Sequence, residues 1–276
     1  MNYKRSKYFT TLSKKKIKYL FNKKNSQIMV VFFHGFMSDM IGKKPILIQK
    51  FCDKKKLNFL KFEYSGHGKS SGKFINGNIS KWTNEAKQLI KSKIKKDKNL
   101  FFIGSSMGSW IALNLFPYFK KQIKGFIGIS SAPEFLEELM WKKFNKKIKK
   151  TIMDKKIYHL EHGEFTYPLT KQLILDGRKN KILNNKINLK IPIVLFHGTN
   201  DEVVPLNFSR KILKIFKKSI KKLIGEHYKE TQSKIASKIL KNYDDEVKNF
   251  KQVCPKEMLD KLLNPLLLKT KISKAV

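Results

Sequence analysis

The chain alternates short continuous apolar runs with amphipathic stretches, and this pattern predicts its secondary structure. An unbroken apolar run is typical of a strand buried on both faces, whereas apolar residues three or four positions apart are typical of a half-buried helix. The runs predict strands over 28–33, 57–62, 99–103, 123–129 and 192–196, and helices over 45–54, 79–93, 109–119 and 206–216. Strands that alternate with helices predict the α/β class, with a mostly parallel sheet and helices on both faces.

The alternation breaks at both ends of the chain and once inside it. Residues 1–27 are basic and polar, with one short alternating run that predicts an edge strand. Residues 28–224 form the predicted core, in which the irregular segment 133–190 is expected to be a small helical cap over one end of the sheet. We expect its aromatic and methionine side chains to supply apolar walls for an acyl group, with ordinary packing as the alternative. Residues 225–276 are predicted to be a helical C-terminal tail.

The stretch Gly104-Ser105-Ser106-Met107-Gly108 lies between the strand over 99–103 and the helix that follows. In this setting a G-x-S-x-G sequence places the serine on a tight strand-to-helix turn, with its hydroxyl projecting from the end of the sheet. The helix N-terminus then faces the same point and favours negative charge there. The pattern therefore predicts Ser106 as a nucleophile, and a buried serine in a glycine-rich turn is the alternative.

The same five-residue pattern recurs at 68–72 without the same setting. The residues after it, 73–77, do not begin a helix, so this second match is interpreted as a loop. His67, at the start of that loop, is interpreted as a residue that shapes it rather than as a catalytic group.

Two backbone N–H groups are predicted to form an oxyanion hole. Phe36 follows His34-Gly35 at the end of the strand over 28–33, where hydrolases of this architecture place one donor, and Met107 follows the nucleophile and supplies the other. For the segment that contains Phe36, an ordinary strand-to-helix turn is the alternative.

Asp201 and His227 are the predicted catalytic partners of Ser106. Asp201 lies in the loop after a late strand, where the acid of a triad would orient the histidine, and a turn or helix-capping role is the alternative. The order of the triad along the chain in this architecture is serine, acid and histidine, and His227 is the only histidine after Asp201. It follows a short strand predicted over 220–224.

The composition of the basic residues bears on whether the protein binds nucleic acids. The net charge is +39 at pH 7, but all basic residues except Arg5, Arg178 and Arg210 are lysine. Arginine is the residue that binds phosphates and bases bidentately, so a specific nucleic-acid-binding function is disfavoured.

The remaining candidate chemistry is sparse. Cys52 and Cys254 lie far apart, which excludes a disulfide framework. His159 and His162 have no cluster of cysteines or carboxylates beside them, so no metal site is predicted. No apolar run is long enough to span a membrane, and the N-terminus lacks the apolar core of a secretory signal, so we expect a cytoplasmic protein.

These segments resemble the α/β-hydrolase superfamily over about residues 28–222. Within it, the chain is similar to bacterial and mitochondrial esterases related to palmitoyl-protein thioesterase and acyl-glucuronide esterase. The matching segments are HGFMSDM at 34–40, YSGHGKSSG at 64–72, GSSMGSWIAL at 104–113, SAPEFLEELMW at 131–141, YPLT at 167–170, LILDGRK at 173–179 and HGTNDEVVP at 197–205. The resemblance implies Ser106 as nucleophile, Asp201 as acid, and hydrolysis of a small-molecule acyl ester or thioester without a cofactor.

The C-terminus departs from this family pattern. The stretch HYKETQSKIASKILKNYDDEVKNFKQVCPKEMLDKL, at 227–262, resembles instead the tail of the glutamate synthase large subunit. This resemblance leaves two hypotheses open. Either His227 is the general base of a serine hydrolase, or the chain is a catalytically inactive hydrolase scaffold with a replaced C-terminus.

Overall fold

The computed structural model describes residues 6–163, 165–185, 187, 189 and 191–246. The strands are β1 Lys7–Thr10, β2 Lys16–Asn22, β3 Ile28–Phe33, β4 Asn58–Phe62, β5 Asn99–Ser105, β6 Ile123–Ile129, β7 Ile157–His162, β8 Phe165–Thr170 and β9 Ile193–Phe196. The α-helices are α1 Lys43–Lys54, α2 Ile79–Lys93, α3 Met107–Asn114, α4 Lys146–Lys155, α5 Lys171–Lys179, α6 Asn207–Thr231, α7 Lys234–Lys241 and α8 Tyr243–Glu246.

Within the described residues, seven strands form one sheet in the order β1-β2-β4-β3-β5-β6-β9. The pairs from β4 through β3, β5 and β6 to β9 are parallel, whereas β1 and β2 join one edge in antiparallel pairing. This mostly parallel sheet confirms the predicted α/β-hydrolase fold class.

Helices cover both faces of the sheet because its strands are apolar on both sides. Val30 and Phe32 of β3 pack in one cluster with Cys52 of α1. Successive side chains of a strand point to opposite faces, so Phe33 lies on the other face, where its ring is 5.0 Å from that of Phe102. Phe102 in turn lies 6.3 Å from Phe116, just after α3. The central strands of the sheet are thus covered on both faces.

The cap differs from the prediction. The cap contains the helices α4 and α5, and between them β7 and β8 form an antiparallel hairpin that the sequence pattern did not predict. Apolar residues alternate with polar ones or proline along β8, as is typical of a strand with one apolar face, and Gly163, at φ 58°, adopts the left-handed conformation in the turn before it.

The strand predicted over 220–224 is also wrong, because α6 continues through it to Thr231. The buried residues Ile212, Ile215 and Phe216 recur at helical spacing, and no proline interrupts the segment. The helix stops where Gln232 adopts a left-handed φ of 52°.

The chain divides into two compact units, Met1–Ile215 and Phe216–Val276. The sheet and the cap belong to the first unit, whereas α7 and α8 belong to the second. Of the predicted tail, residues 247–276 lie outside the described residues. None of the described helices combines the length and the apolar character that crossing a bilayer requires.

Two histidines are buried beside the carboxyl end of β3. The rings of His34 and His67 lie 5.0 Å apart, and Tyr64 packs 4.4 Å from His34. Burial lowers the pKa of His34 to about 4. Burial, together with the nearby His34, lowers the pKa of His67 to about 3. Both imidazoles are therefore neutral at physiological pH.

The lowered pKa of His67 predicts how the free energy of unfolding depends on pH. An unfolded chain protonates this ring near its ordinary pKa of 6.5, whereas the folded chain does so only near 3. The neutral ring therefore contributes stability that is fully present above pH 6.5 and is lost as the pH falls towards 3. We expect His67→Leu to reduce the pH slope of the free energy of unfolding, between about pH 6 and pH 4, by up to about 1.4 kcal/mol per pH unit.

Urea unfolding followed by tryptophan fluorescence measures this slope, because Trp82 packs 4.9 Å from His67. The matched control is His159→Leu, since His159 is exposed on β7 and should leave the slope unchanged. A slope in His67→Leu equal to that of the unaltered protein would show that the buried ring does not control acid stability.

Candidate active site

Ser106 lies on the tight turn between β5 and α3. Its backbone is at φ 50° and ψ −120°, a strained conformation for a residue with a side chain. The Ser106 N–H donates a hydrogen bond to the carbonyl of Ile129 at 3.0 Å, and the Ser106 carbonyl accepts one from the N–H of Ser109 at 3.0 Å. The strained turn is therefore held from both the sheet and the helix.

Two glycines allow β5 and α3 to approach this closely. A Cβ added at Gly104 would overlap the backbone of Ser109, and one added at Gly108 would overlap the backbone carbonyl of Phe33. Any side chain at either position would push the helix away from the strand. The G-x-S-x-G spacing is thus required by packing as well as by chemistry.

The register of the sheet aligns the ends of its parallel strands at this point. Phe33 pairs with Gly104, Ser105 pairs with Ile129, and Ile129 pairs with Phe196. The loops after β3, β5, β6 and β9 therefore leave the sheet along one edge, which is where parallel α/β sheets place their ligands.

The loop after β3 lies beside the nucleophile. A Cβ built on Gly35 would lie 3.4 Å from the Cβ of Ser106. The peptide that links Gly35 to Phe36 is therefore near Ser106, and Met107 is the first residue of α3, where an N–H has no acceptor within the helix. The assignment of these two N–H groups to an oxyanion hole stays a prediction.

Asp201 lies in the loop after β9, at the same edge of the sheet. Its Oδ1 accepts hydrogen bonds from the N–H groups of Val203 at 3.1 Å and Val204 at 2.8 Å. This is the turn-forming role that the sequence left open as an alternative. The second oxygen, Oδ2, makes neither of these bonds and lies 3.7 Å from Nε2 of His197.

His197 is a residue of this site that the sequence reasoning missed. Its imidazole is buried and bonds to the carbonyl of Val204 through Nε2 at 2.6 Å and to the hydroxyl of Ser209 through Nδ1 at 2.7 Å. Because a carbonyl oxygen can only accept, Nε2 carries a proton and donates it to Val204. The ring therefore anchors the Asp201 loop to α6. The signal in the sequence was His-Gly directly after a strand, as at His34-Gly35.

His227 lies on α6, not in a loop after a strand, and its side chain is exposed. It belongs to the second compact unit, whereas Ser106 and Asp201 belong to the first. The role of His227 as general base stays a prediction. Among the described residues, no three histidine, cysteine or carboxylate side chains group together as metal ligands would.

Comparison with known proteins agrees with this architecture. Residues 24–164, about half of the chain, match the family model described as serine aminopeptidase, S33, and residues 173–250 match the one described as phospholipase/carboxylesterase. A putative hydrolase from Agrobacterium vitis has a similar structure, with a TM-score of 0.71, 25% identity, and coverage of 76% of this chain and 84% of that one.

Two curated proteins are similar to different parts of the chain. The mitochondrial palmitoyl-protein thioesterase ABHD10 of Rattus norvegicus is 28% identical over 190 residues, which is 66% of this chain and 62% of that protein. The chain thus spans about three fifths of that relative. The glutamate synthase large chain of Azospirillum brasilense is 45% identical over 74 residues, which is 27% of this chain and 5% of that protein. The latter match covers the C-terminal region and confirms the resemblance of the tail.

The strained serine turn, the aligned strand ends and the matched family models lead to one conclusion: this chain belongs to the α/β-hydrolase family of serine hydrolases.

Proposed function

We propose that the protein hydrolyses carboxylic esters or thioesters through an acyl-enzyme on Ser106. The observation that carries the proposal is the strained backbone of Ser106 at the strand-to-helix turn, with the loop of Gly35 against its side chain. The similarity to a thioesterase and the match to the phospholipase/carboxylesterase model support the same class of substrate. The bound carbonyl would lie between the Ser106 hydroxyl and the two N–H groups of Phe36 and Met107.

The proposed reaction has two halves. The Ser106 oxygen attacks the acyl carbon while His227 removes the hydroxyl proton, and Asp201 holds the imidazole in the required tautomer. The N–H groups of Phe36 and Met107 stabilise the oxyanion, and each such donor lowers the barrier by about 3 kcal/mol. The leaving alcohol or thiol takes the proton from His227. Water then attacks the acyl-enzyme with His227 again as the base, and the free acid departs.

The assignment of His227 rests on its place in the chain. It follows Asp201, as the histidine of this architecture does, and the match to the phospholipase/carboxylesterase model extends past it to residue 250. The oxygen Oδ2 of Asp201 is the one left for an imidazole, because Oδ1 already accepts from Val203 and Val204.

A catalytically inactive hydrolase scaffold is the second candidate. Two observations favour it. The Asp201 carboxylate accepts a hydrogen bond within its own loop, from Val204. His227 lies on α6, and the C-terminal region of the chain is similar to a glutamate synthase. Turnover of a p-nitrophenyl ester between about pH 6 and pH 9 separates the two candidates, because an inactive scaffold leaves the ester intact.

A fluorophosphonate probe tests the nucleophile. We expect the probe to label the protein at Ser106. An activated serine hydroxyl attacks the phosphorus of the probe and displaces fluoride, in the same way that it would attack the acyl carbon of a substrate. Ser106→Ala should abolish the labelling, and Ser105→Ala should retain it as the neighbouring control. Labelling that persists in Ser106→Ala would mean that another residue is the nucleophile.

His227→Ala tests the base. We expect kcat for a p-nitrophenyl ester to fall about 10⁴-fold, since triad members act as a unit and the loss of one removes most of the rate enhancement. His159→Ala, which removes an exposed histidine from the cap, should keep the original kcat. If His227→Ala turns over the ester as fast as the unaltered protein, the base is a different group.

A further inference from the structure

Three aromatic rings form a continuous ladder that begins beside the nucleophile. The ring of Phe36 stacks on Tyr167 of β8, with centroids 5.9 Å apart and planes at 24°. Tyr167 in turn lies 6.4 Å from Phe165, with planes at 35°. We call these residues, Phe36, Tyr167 and Phe165, the aromatic ladder. It joins the loop after β3 to the tip of the cap hairpin.

The ladder runs from the interior of the protein into solvent. Phe165, Tyr167 and Leu169 alternate along β8 and so lie on the same face of the hairpin. Leu169 is fully buried, Tyr167 is half-buried, and Phe165 is 64% exposed. The rings of the ladder therefore extend one apolar surface from the buried end of β8 to the tip of the hairpin.

The inner end of the ladder is fixed next to Ser106. Phe36 directly follows Gly35, which lies beside Ser106, and its ring packs against Phe74 at 5.0 Å and Phe135 at 5.2 Å. The proposed oxyanion donor and the inner ring of the ladder therefore belong to the same residue, Phe36. An acyl group whose carbonyl is bound at Ser106 would meet this ring first.

Two partly exposed apolar residues lie beside the inner end of the ladder in the sequence. Met37, next to Phe36, is 43% exposed, and Ile75, next to Phe74, is 39% exposed. The side-chain amide of Gln172 donates to the carbonyl of Ile75 at 2.7 Å and ties α5 to this flank. The residues next to the inner ring of the ladder are thus apolar and in part accessible to solvent.

We propose that the aromatic ladder binds the hydrocarbon chain of a linear aliphatic acyl ester or thioester, and that Tyr167 and Phe165 set its preferred length. The ladder is built from two successive ring-to-ring steps, so it is longer than a single aromatic acyl group needs and suits an extended chain. None of its members carries a charge, which fits methylene groups rather than a polar or sugar-bearing acyl group. The inference rests on the proposed ester hydrolysis and identifies its substrate class.

A series of p-nitrophenyl esters tests the proposal, with acetate, hexanoate and dodecanoate as acyl groups. We expect Tyr167→Ala to lower kcat/KM for hexanoate and dodecanoate by about tenfold or more, because each buried methylene contributes about 0.8 kcal/mol. Phe165→Ala should lower kcat/KM by a similar factor for dodecanoate alone, since only a long chain reaches the outer ring. Acetate should be turned over equally by both variants. Phe51→Ala, which removes an exposed phenylalanine of α1, is the matched control and should follow the unaltered protein throughout.

The graded pattern distinguishes this proposal from its alternatives. An equal loss of kcat/KM for acetate and dodecanoate in Tyr167→Ala would mean that Tyr167 only supports the loop of Phe36. An unchanged kcat/KM for dodecanoate in Phe165→Ala would mean that Phe165 does not bind the acyl chain. Both results overturn the proposal. A preference for cinnamate over dodecanoate that depends on Tyr167 would also overturn it in favour of a planar acyl group. Because Phe165 is exposed, its variant should fold even if Tyr167→Ala does not.

Failure of the proposed ester hydrolysis would be distinguishable from failure of the ladder, because the unaltered protein would then not turn over p-nitrophenyl acetate at all. In that case, binding of dodecanoate to the Ser106→Ala protein, followed by tryptophan fluorescence, tests the ladder without catalysis. Weaker binding in the double variant that also carries Phe165→Ala supports the ladder, and equal binding overturns it.

Discussion

The left-handed backbone of Ser106 is the constraint on which the rest of the site depends. At φ 50° this residue pays a conformational cost that the surroundings must offset, and the hydrogen bonds to Ile129 and Ser109 hold it from both sides. The same turn forces α3 so close to the sheet that Gly104 and Gly108 leave no room for a side chain. The strained turn therefore determines where the hydroxyl projects, where the helix begins and where the loop of Gly35 can lie.

The cap extends this site into solvent. Its β7–β8 hairpin places aromatic side chains of β8 along one face, and the innermost of them stacks on Phe36. One residue, Phe36, thus connects the backbone proposed to stabilise the oxyanion with the surface proposed to bind the acyl chain. The two proposals, catalysis at Ser106 and selection of the acyl chain, therefore share this one residue.

The core of the fold could be predicted because its strands are buried on both faces. A parallel strand such as β3 or β6 appears in the sequence as an unbroken apolar run, and the predicted bounds 28–33 and 123–129 match the structure. The cap hairpin could not be predicted in the same way, since its alternating run is short and β8 contains Pro168. The strand expected over 220–224 failed because a short lysine-rich apolar stretch fits a helix equally well, and neighbouring residues of α6 decided between them.

The geometry of the site was predictable only where it is local. The tight turn at Ser106 could be predicted because the glycines, the strand and the helix that define it are all within a few residues. The surroundings of Asp201 could not be predicted from the sequence, because His197 lies beside its carboxylate. The imidazole of His197 is in turn hydrogen-bonded to Ser209 of a different element, α6. Likewise, His34 and His67 become buried neighbours only when the loops after β3 and β4 meet. Contacts between distant segments leave no periodic signal in the sequence.

The central claim is that the turn at Ser106 presents an activated hydroxyl to an oxyanion hole made by Phe36 and Met107. A crystal structure of the protein after reaction with a fluorophosphonate tests it most directly, because the phosphonyl oxygen occupies the place of the oxyanion. The account predicts phosphorus bonded to Oγ of Ser106, with that oxygen about 3 Å from both backbone N–H groups. An adduct on another residue, or a phosphonyl oxygen that contacts neither N–H, would contradict it.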